Sequence, residues 1–429
     1  MPSPLFVRRA GAAFLSILEK RSARPGWGGL MHEPAELSAL RLLCCPRFVD
    51  EGRGWFCVCL ERGLDWTALF QAALLHDVAP LAAHRLLAHG AERLDDEMRE
   101  GLELYLEGER LKAQVLAGEL AHTLECLVGQ NIPAIPIKGP QLALALYGDT
   151  GLRSCRDLDI LVRDTDVART LAALEGLGYR HDAALSTLQI EAVRRYGGQY
   201  ILFHPERAAV EPHWLIAPST LAFDLDYERL WHRTRRSDFL GVPCLRLPPE
   251  EELLLLCLHG AKEQWKKLKW ICDIAAFPGV HPGIDWERLW DEAAGQGCAR
   301  MLKLGLALAR HLLEAPLPVE VSKRVRQDVQ AGRLAEEVIG QWGRSQPTAS
   351  NPYRLSTFYW RMRERPRDRY AFAMRTVFTP RALHYGLLRL PSALGWGYYP
   401  IKLLWDYLLI PIRDMAKSIG MCGVGRRQQ

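Results

Sequence analysis

The chain has 429 residues, of which 48% are hydrophobic and 24% are charged, and its formal net charge is +5. Length and composition are typical of a globular protein with more than one domain or subdomain and a large core. The small net charge does not support sequence-independent DNA binding, although local basic clusters can still hold phosphate groups.

The eleven cysteines include no Cys-x-x-Cys pair and show no regular spacing. This pattern is typical of reduced, mostly buried thiols, so we expect a cytoplasmic protein. Residues 1–30 are predicted to be an N-terminal extension. Arg8-Arg9 and an apolar run resemble a short signal sequence, but Glu19 follows at once and no convincing cleavage site is present.

Residues 31–130 show the periodicity of amphipathic helices. Asp65 is a candidate N-cap for a helix beginning at Trp66, because its carboxylate can accept a hydrogen bond from a first-turn amide. Apolar residues recur at helical spacing over residues 102–128, which predicts one long helix. The region has neither metal-ligand nor nucleophile spacing, and we interpret it as a helical wrapper.

The pattern changes at residues 131–216, where short apolar runs alternate with short helical segments. The predicted strands are residues 132–137, 157–162, 200–204 and 210–215, and the predicted helices are residues 141–147 and 166–176. Pro133 and Pro136 have no N–H to donate, so the first strand is expected at a sheet edge. The last two strands flank a Pro-Glu-Arg turn and predict a hairpin. Together these elements predict a small core with a mixed sheet.

Helices are predicted again over residues 217–345. Pro248-Pro249-Glu250-Glu251 is a strong helix-start signal, and residues 253–265 and 268–277 continue the helical pattern. Residues 345–351 resemble a linker, and the region 346–429 is rich in arginine and aromatic residues. The predicted fold class is therefore α+β, with a small mixed-sheet core wrapped by N- and C-terminal helical regions.

Two aspartates at the start of the strand 157–162 define the candidate site. Side chains alternate along a strand, so Asp157 and Asp159 point to the same face. Their carboxylates repel each other unless a divalent cation lies between them. Glu211 adds a third carboxylate in an otherwise apolar strand. This set matches what a pair of Mg²⁺ (or Mn²⁺) ions needs to bridge an NTP and an attacking hydroxyl, with Glu211 helping to deprotonate that hydroxyl.

Candidate nucleotide-binding residues surround the same elements. Gly139 allows close backbone approach at a predicted helix start, where amides and the helix dipole favour an anion. Lys138 and Arg153 are predicted to bind phosphate, and Arg156 is a weaker candidate. The alternative for Arg153 and Arg156 is simple charge balance for the aspartates.

The segment from His259 to Asp273 leaves two interpretations open. On a helix, His259 and Lys262 are neighbours at positions i and i+3. In the first interpretation these two residues line the cleft opposite the sheet, with Asp273 as a further member, and contact nucleotide or acceptor. In the second, the segment is a packed helix pair with a solvated lysine face. His213 shares a strand face with Glu211 and is a further candidate cleft residue.

Several stretches between about residues 65 and 280 are together far more specific than Asp-x-Asp alone. They are Leu64-Asp65-Trp66, Ile135-Pro136-Ile137-Lys138-Gly139, Leu146-Tyr147-Gly148-Asp149, Arg153, Asp157-Leu158-Asp159-Ile160-Leu161-Val162, Gly178-Tyr179, Val210-Glu211-Pro212-His213-Trp214 and His259-Gly260-Ala261-Lys262. In this order and spacing the chain resembles the uncharacterised bacterial nucleotidyltransferase family of the DNA polymerase β superfamily.

The resemblance implies a nucleotidyltransferase core that uses an NTP and Mg²⁺ to transfer a nucleoside monophosphate to a hydroxyl. Asp157 and Asp159 match the metal-binding pair of the family, and Glu211 matches its third carboxylate. Lys138-Gly139 stands where the wider superfamily has Gly-Gly or Gly-Ser, and Pro140 follows instead of a serine. The gap to Asp157 is also longer, so the details of triphosphate binding do not carry over.

Three hypotheses follow. The leading one is a cytoplasmic, metal-dependent nucleotidyltransferase acting on an unidentified acceptor, which is a small molecule, a peptide or a protein rather than nucleic acid. The alternative is a nucleotide-binding or antitoxin-like regulatory module with the same fold and little or no turnover. Such a module could lose Glu211, which is present here. The third is a membrane-peripheral assembly factor for surface polysaccharide, with weak membrane-surface contact through the aromatic segment 394–412, although packing over the core is the expected role of that segment.

Overall fold

The computed structural model describes residues 35–46, 64–90, 92, 94–342, 356–413 and 415. The predicted N-terminal extension and the predicted linker at residues 345–351 lie outside these described residues. Within the described ranges the fold is α+β, as predicted, with a small mixed sheet surrounded by helices.

Amphipathic helices precede the sheet. They are α1 (Ala35–Cys44), α2 (Trp66–Leu75), α3 (Ala79–Gly90) and α4 (Asp96–Gly129). The predicted N-cap is confirmed, because the Asp65 carboxylate accepts a hydrogen bond from the Ala68 amide at 3.0 Å. The single long helix is also confirmed as α4, and its own N-cap is Asp95.

The sheet and its connecting helices occupy the middle of the chain. In chain order the elements are β1 (Ala134–Pro136), α5 (Gly139–Tyr147), β2 (Asp157–Val162), α6 (Val167–Gly176), β3 (Arg180–His181), α7 (Thr187–Tyr196), β4 (Leu202–Phe203) and β5 (Ala209–His213). The strand order is β1-β2-β5-β4-β3, so the proline-containing strand β1 lies at an edge, as predicted. Strands β2 and β5 run parallel, whereas the other pairs are antiparallel.

Helices α8 to α14 follow the sheet, and α15 to α18 form the C-terminal segment. Their bounds are α8 (Tyr227–His232), α9 (Pro249–Lys262), α10 (Leu268–Val280), α11 (Trp286–Gly295), α12 (Ala299–Leu313), α13 (Val319–Arg326), α14 (Val329–Trp342), α15 (Thr357–Arg361), α16 (Pro366–Phe378), α17 (Ala382–Leu387) and α18 (Tyr398–Leu404). The predicted start of α9 at the Pro-Pro-Glu-Glu motif is confirmed.

A β-hairpin interrupts these helices where the sequence pattern predicts only helix. Its strands are β6 (Arg235–Phe239) and β7 (Val242–Arg246), which pair antiparallel. The turn residues Leu240 and Gly241 both have positive φ, of 50° and 80°, as a two-residue hairpin turn with matching twist requires. The polar sequence of β6 has no apolar alternation, so the periodicity carries no strand signal here.

The sheet has a buried face and a face that opens into a cleft. Leu158, Ile160 and Val162 of β2 are buried in a core cluster that also contains Leu120 and Leu124 of α4. Because side chains alternate, the aspartates between them point the other way. A larger core cluster unites the N-terminal helices with α9, α10 and α12. The two clusters therefore hold the sheet between α4 on one side and the helical layer of α9 and α10 on the other.

The C-terminal segment packs only in part against the rest of the chain. The Asp406 carboxylate accepts hydrogen bonds from Lys402 at 2.7 Å and from Arg381 at 2.8 Å, and all of the Lys402 side chain is buried. In contrast, Trp396 is 68% exposed and Leu404 is 55% exposed. None of the described helices combines the length and apolar character needed to cross a membrane. Contact with a membrane surface stays a prediction.

Replacing Asp406 by Asn should destabilise the C-terminal segment by about 3–5 kcal/mol, because the buried Lys402 would lose its charge partner. Chemical denaturation followed by limited proteolysis measures this effect. The matched control is Asp224→Asn. The Asp224 carboxylate forms an exposed pair with Arg375, so its loss should lower the free energy of unfolding by about 1 kcal/mol or less. Equal losses in both variants would contradict the role given to Asp406.

Candidate metal centre and adjoining cleft

The parallel pairing of β2 with β5 sets the geometry of the candidate site. Asp159 lies directly opposite Glu211, and Leu161 lies opposite His213. A cleft of about 240 Å³ opens over this face of the sheet. Eight site residues predicted from the sequence line it, namely Lys138, Gly139, Arg153, Asp157, Asp159, Glu211, His259 and Lys262. His213 lines it as well, whereas Asp273 and Arg156 do not.

The three carboxylates differ in their electrostatic surroundings. Burial would raise the pKa of Asp159, but Lys138 and His213, each 2.8 Å from its Oδ1, hold that pKa well below its usual range. Burial and the negative charge of Asp159 raise the pKa of Asp157. Burial, followed by the charges of Asp159 and Asp157, raises the pKa of Glu211 to about 7. The three carboxylates therefore crowd negative charge at one face of the sheet, with Lys138 paired to Asp159.

This arrangement can hold a divalent cation. Ligand atoms of Asp159, Glu211 and His213 all lie within 4.8 Å of one another. Carboxylate oxygens suit Mg²⁺ and Mn²⁺, and a neutral imidazole nitrogen is also a metal ligand. Burial lowers the pKa of His213, which keeps this ring neutral. Asp157 lines the same cleft, and its charge reaches Glu211, although it is outside the closest group.

Gln199 is a site residue that the sequence analysis missed. Its Nε2 donates to Glu211 Oε2 at 2.5 Å, and its Oε1 accepts from Lys262 Nζ at 3.4 Å. An isolated backbone bridge between Gln199 and His213 holds it beside β5. The residue precedes the predicted hairpin strand and belongs to no motif, so only the sheet pairing reveals its position.

The Lys138-Gly139 step has a constrained backbone. Lys138 has φ 60° and ψ −144°, and Gly139 has φ 57°. The first conformation is sparsely populated for a residue with a side chain and costs about 1–3 kcal/mol, a kind of strain that is concentrated at functional sites. Backbone hydrogen bonds from Ile137 to Asp159 and from Leu142 to Lys138 hold the step in place. As a result, the Lys138 ammonium points at Asp159 immediately before the first turn of α5.

Arg153 is oriented by a buried ion pair that also explains Asp273. Arg153 Nη2 donates to Asp273 Oδ2 at 3.0 Å, Nε donates to Oδ1 at 3.0 Å, and the Tyr147 hydroxyl donates to Oδ1 at 3.1 Å. Asp273 is therefore the partner of Arg153 and does not face the cleft. A role of Arg153 in nucleotide binding stays a prediction.

A second cluster of charges connects the N-terminal helices to the cleft. Asp77, between α2 and α3, binds Arg156 at 3.1 Å and also binds Lys267 and Lys269. Lys269 donates to the Ser154 carbonyl at 3.2 Å and lines the cleft. Arg156 thus balances Asp77 rather than the strand aspartates. Asp77 is buried, and its ion pair with Lys269 holds this lysine beside the cleft.

His259 and Lys262 lie in the last turn of α9 and face the sheet across the cleft. The ring of Trp270 meets the His259 ring edge-on, with centroids 5.5 Å apart. Burial and the nearby Lys138 lower the pKa of His259, so the ring is neutral. Both residues line the cleft, as the first interpretation predicts, and the Lys262 side chain is only 13% exposed. Their contact with nucleotide or acceptor stays a prediction.

A model of a family described as "Uncharacterised nucleotidyltransferase" matches residues 62–314. The matched region runs from α2 to α12 and contains every residue that lines the cleft. Helices α13 to α18 lie outside it. No curated protein matches the chain.

Replacing Asp273 by Asn should lower the free energy of unfolding by about 3–5 kcal/mol, because buried Arg153 would lose its charge partner. Equilibrium urea denaturation measures the change. Asp164→Asn is the control, since Asp164 pairs with Arg194 at an exposed position and should lose about 1 kcal/mol or less. A loss for Asp273→Asn no larger than for this control would show that the pair is not structural.

Replacing Glu211 by Gln should stabilise the metal-free protein at pH 8 by about 1–3 kcal/mol, because it removes a charge crowded by two aspartates. The Glu211 pKa is about 7 when folded against 4.5 for the free side chain, so the destabilising term is full above pH 7 and absent below pH 4.5. Thermal unfolding of both proteins in EDTA, at pH 8 and at a pH just below 4.5, measures this difference in stability.

The same variant tests metal binding. Excess Mg²⁺ or Mn²⁺ should raise the melting temperature of the wild type and have little effect on Glu211→Gln. Glu206→Gln, which changes an exposed turn residue, is the matched control and should respond like the wild type. Equal stabilisation of all these proteins by the ions would contradict a metal site at Glu211.

Proposed function

Because the chain belongs to the uncharacterised nucleotidyltransferase family, we propose that it transfers a nucleoside monophosphate from an NTP to a hydroxyl group of an acceptor. The observation that supports this proposal most strongly is the arrangement of the carboxylates. Asp159 lies opposite Glu211 on parallel strands, Asp157 lines the same cleft, and Lys138 and Lys262 face them. The cleft thus combines ligands for a cation with cationic groups for a polyphosphate.

Asp157, Asp159 and Glu211 would hold the divalent cation, Mg²⁺ or Mn²⁺. The residues fit such an ion because ligand atoms of Asp159 and Glu211 lie within 4.8 Å of each other, and burial together with the charges of Asp159 and Asp157 raises the pKa of Glu211. When bound, the ion offsets the charge of the triphosphate and polarises its α-phosphate. Gln199 orients Glu211 through their 2.5 Å hydrogen bond.

Lys138, Gly139, Arg153, His259 and Lys262 would bind the nucleotide. In the ligand-free cleft Lys138 pairs with Asp159 at 2.8 Å. Lys138 stands immediately before α5, where its ammonium would contact the phosphates of the nucleotide. Gly139 keeps the backbone open at that point because it has no side chain. Neutral His259 supplies a hydrogen-bonding ring next to the charged groups.

The reaction balances without any further reactant. The acceptor oxygen forms a bond to the α-phosphorus of the NTP, and the bond between that phosphorus and the bridging oxygen of the β-phosphate breaks. Pyrophosphate leaves with the electron pair, and the proton of the acceptor hydroxyl goes to the Glu211 carboxylate. The products are the nucleotidylated acceptor and pyrophosphate. Lys138 and Lys262 stabilise the charge on the leaving group.

One observation favours a second candidate function, a nucleotide-binding module with little or no turnover. Lys138 and His213 already satisfy the Asp159 carboxylate, and Gln199 already binds Glu211. A protein that binds nucleotide without metal chemistry would keep these contacts. The two candidates therefore differ in whether the carboxylates are needed for transfer or only for the shape of the cleft.

Incubation of the full chain with each NTP labelled at the α-phosphate, Mg²⁺ or Mn²⁺ and a cell extract should transfer label to an acceptor. Asp157→Asn combined with Asp159→Asn should reduce transfer by about 100-fold or more, since the metal ligands are lost. Asp164→Asn, which changes an exposed aspartate, should leave transfer unchanged. Nucleotide binding without label transfer, retained by the double variant, would support the binding module instead.

A further inference from the structure

A second and larger cavity adjoins the carboxylate cleft. Its volume is about 540 Å³, against about 240 Å³ for the cleft itself. Most of its wall is apolar and comes from α7, the strand residues around β4 and α17; the apolar lining includes Leu185, Ile190, Val193, Ile201, Phe203 and Leu383. A volume in this range is typical of a small-molecule site.

The two cavities share part of their wall. Gln199, Lys262 and Glu263 line both of them. Gln199 binds Glu211 on the side of the cleft, and it also binds Lys262. A molecule in the larger cavity can therefore present one polar group at Gln199, next to the carboxylate proposed to accept a proton, while its remaining surface stays among apolar side chains.

The C-terminal segment builds the outer wall and holds it close to the core. Helix α17 packs on α7 at Gly386, where a Cβ atom would come within 2.8 Å of the Gln189 side chain. Tyr196, in the wall of the cavity, interacts with Tyr385 and Tyr399 of this segment. Arg381 lines the cavity but donates to both carboxylate oxygens of Asp406. Arg381 is thus held in an ion pair within the segment, where Asp406 also pairs with Lys402.

We propose that this cavity binds the acceptor, and that the acceptor is a small molecule with a hydroxyl group on an apolar, ring-containing body. The inference rests on the proposed nucleotidyl transfer and names its substrate class. A mostly apolar wall that meets the cleft at Gln199, Lys262 and Glu263 favours such a molecule over a sugar or a polyphosphate, whose many polar groups would lose water without finding enough partners. The hydroxyl lies toward Gln199 and Lys262, and the ring packs between Phe203 and Leu383.

The binding test uses 4-methylumbelliferone, a fluorescent compound with one hydroxyl on a flat apolar ring system, and the full chain without nucleotide or metal. The wild type should bind one equivalent. Leu383→Trp and Ile201→Trp, which add volume from α17 and from the residue before β4, should each weaken binding by about tenfold or more. Both side chains are partly exposed, at 46% and 44%, so the larger ring is compatible with folding.

The matched control is Leu387→Trp. Leu387 lies one turn further along α17, is 36% exposed and does not line the cavity. The Leu387→Trp variant should therefore bind the probe as tightly as the wild type does. No saturable binding, or equal affinity in all three tryptophan variants, would overturn the proposed acceptor site.

A transfer test separates this inference from the proposed function. Panels of ring-containing alcohols and of sugars are offered as acceptors with labelled NTP and Mg²⁺. The Leu383→Trp variant should show a higher KM for the acceptor and little change in the KM for the NTP. Transfer to sugars alone would overturn the substrate class. Normal probe binding by the wild type and by the Asp157→Asn/Asp159→Asn variant, with no transfer to any acceptor, would refute the transfer reaction and leave the cavity as a ligand site.

Discussion

The parallel pairing of β2 with β5 is the constraint on which the rest of the site depends. It places Asp159 opposite Glu211, and because side chains alternate along both strands it leaves an apolar face for the core. Carboxylates so close are unfavourable unless cations reach them. The surrounding elements supply those cations, Lys138 from the start of α5 and Lys262 from the end of α9.

The same solution, an anion buried against cations from distant parts of the chain, recurs outside the strands. Asp77 binds Arg156 and Lys269, and Asp273 orients Arg153. Asp406 joins Arg381 to Lys402 within the C-terminal segment. Such pairs add little net stability when complete, but breaking one leaves a buried charge without a partner. They therefore fix the position of the surrounding helices. Each pair joins a helical segment either to the cleft or to the outer wall of the larger cavity.

The two cavities are lined by different parts of the chain. The matched region contains the cleft and its charged residues, whereas part of the wall of the larger cavity comes from α17, beyond that region. Gln199 lies on the boundary and contacts residues on both sides of the cleft. We propose that the chemical centre belongs to the region that matches the family and that the C-terminal segment completes the binding surface for the acceptor.

Local patterns predicted the elements whose signals are local. The N-cap Asp65, the long helix α4, the edge strand β1 and the strand β2 with its two aspartates all agree with the structure. The hairpin of β6 and β7, the short strand β3 and the helix α7 escaped prediction. Strand β6 is polar, and β3 has only two residues, so neither shows the alternation from which strands are predicted.

The sequence by itself determined the class of the fold, the carboxylates on one strand face and many of the residues that line the cleft, because alternation and helix spacing are properties of the backbone. Only the tertiary structure decided how those residues are paired. It joined Arg153 to Asp273, Arg156 to Asp77 and Gln199 to Glu211, partners separated by 120, 79 and 12 positions. Such contacts depend on how the helices dock on the sheet, for which the chain carries no local signal.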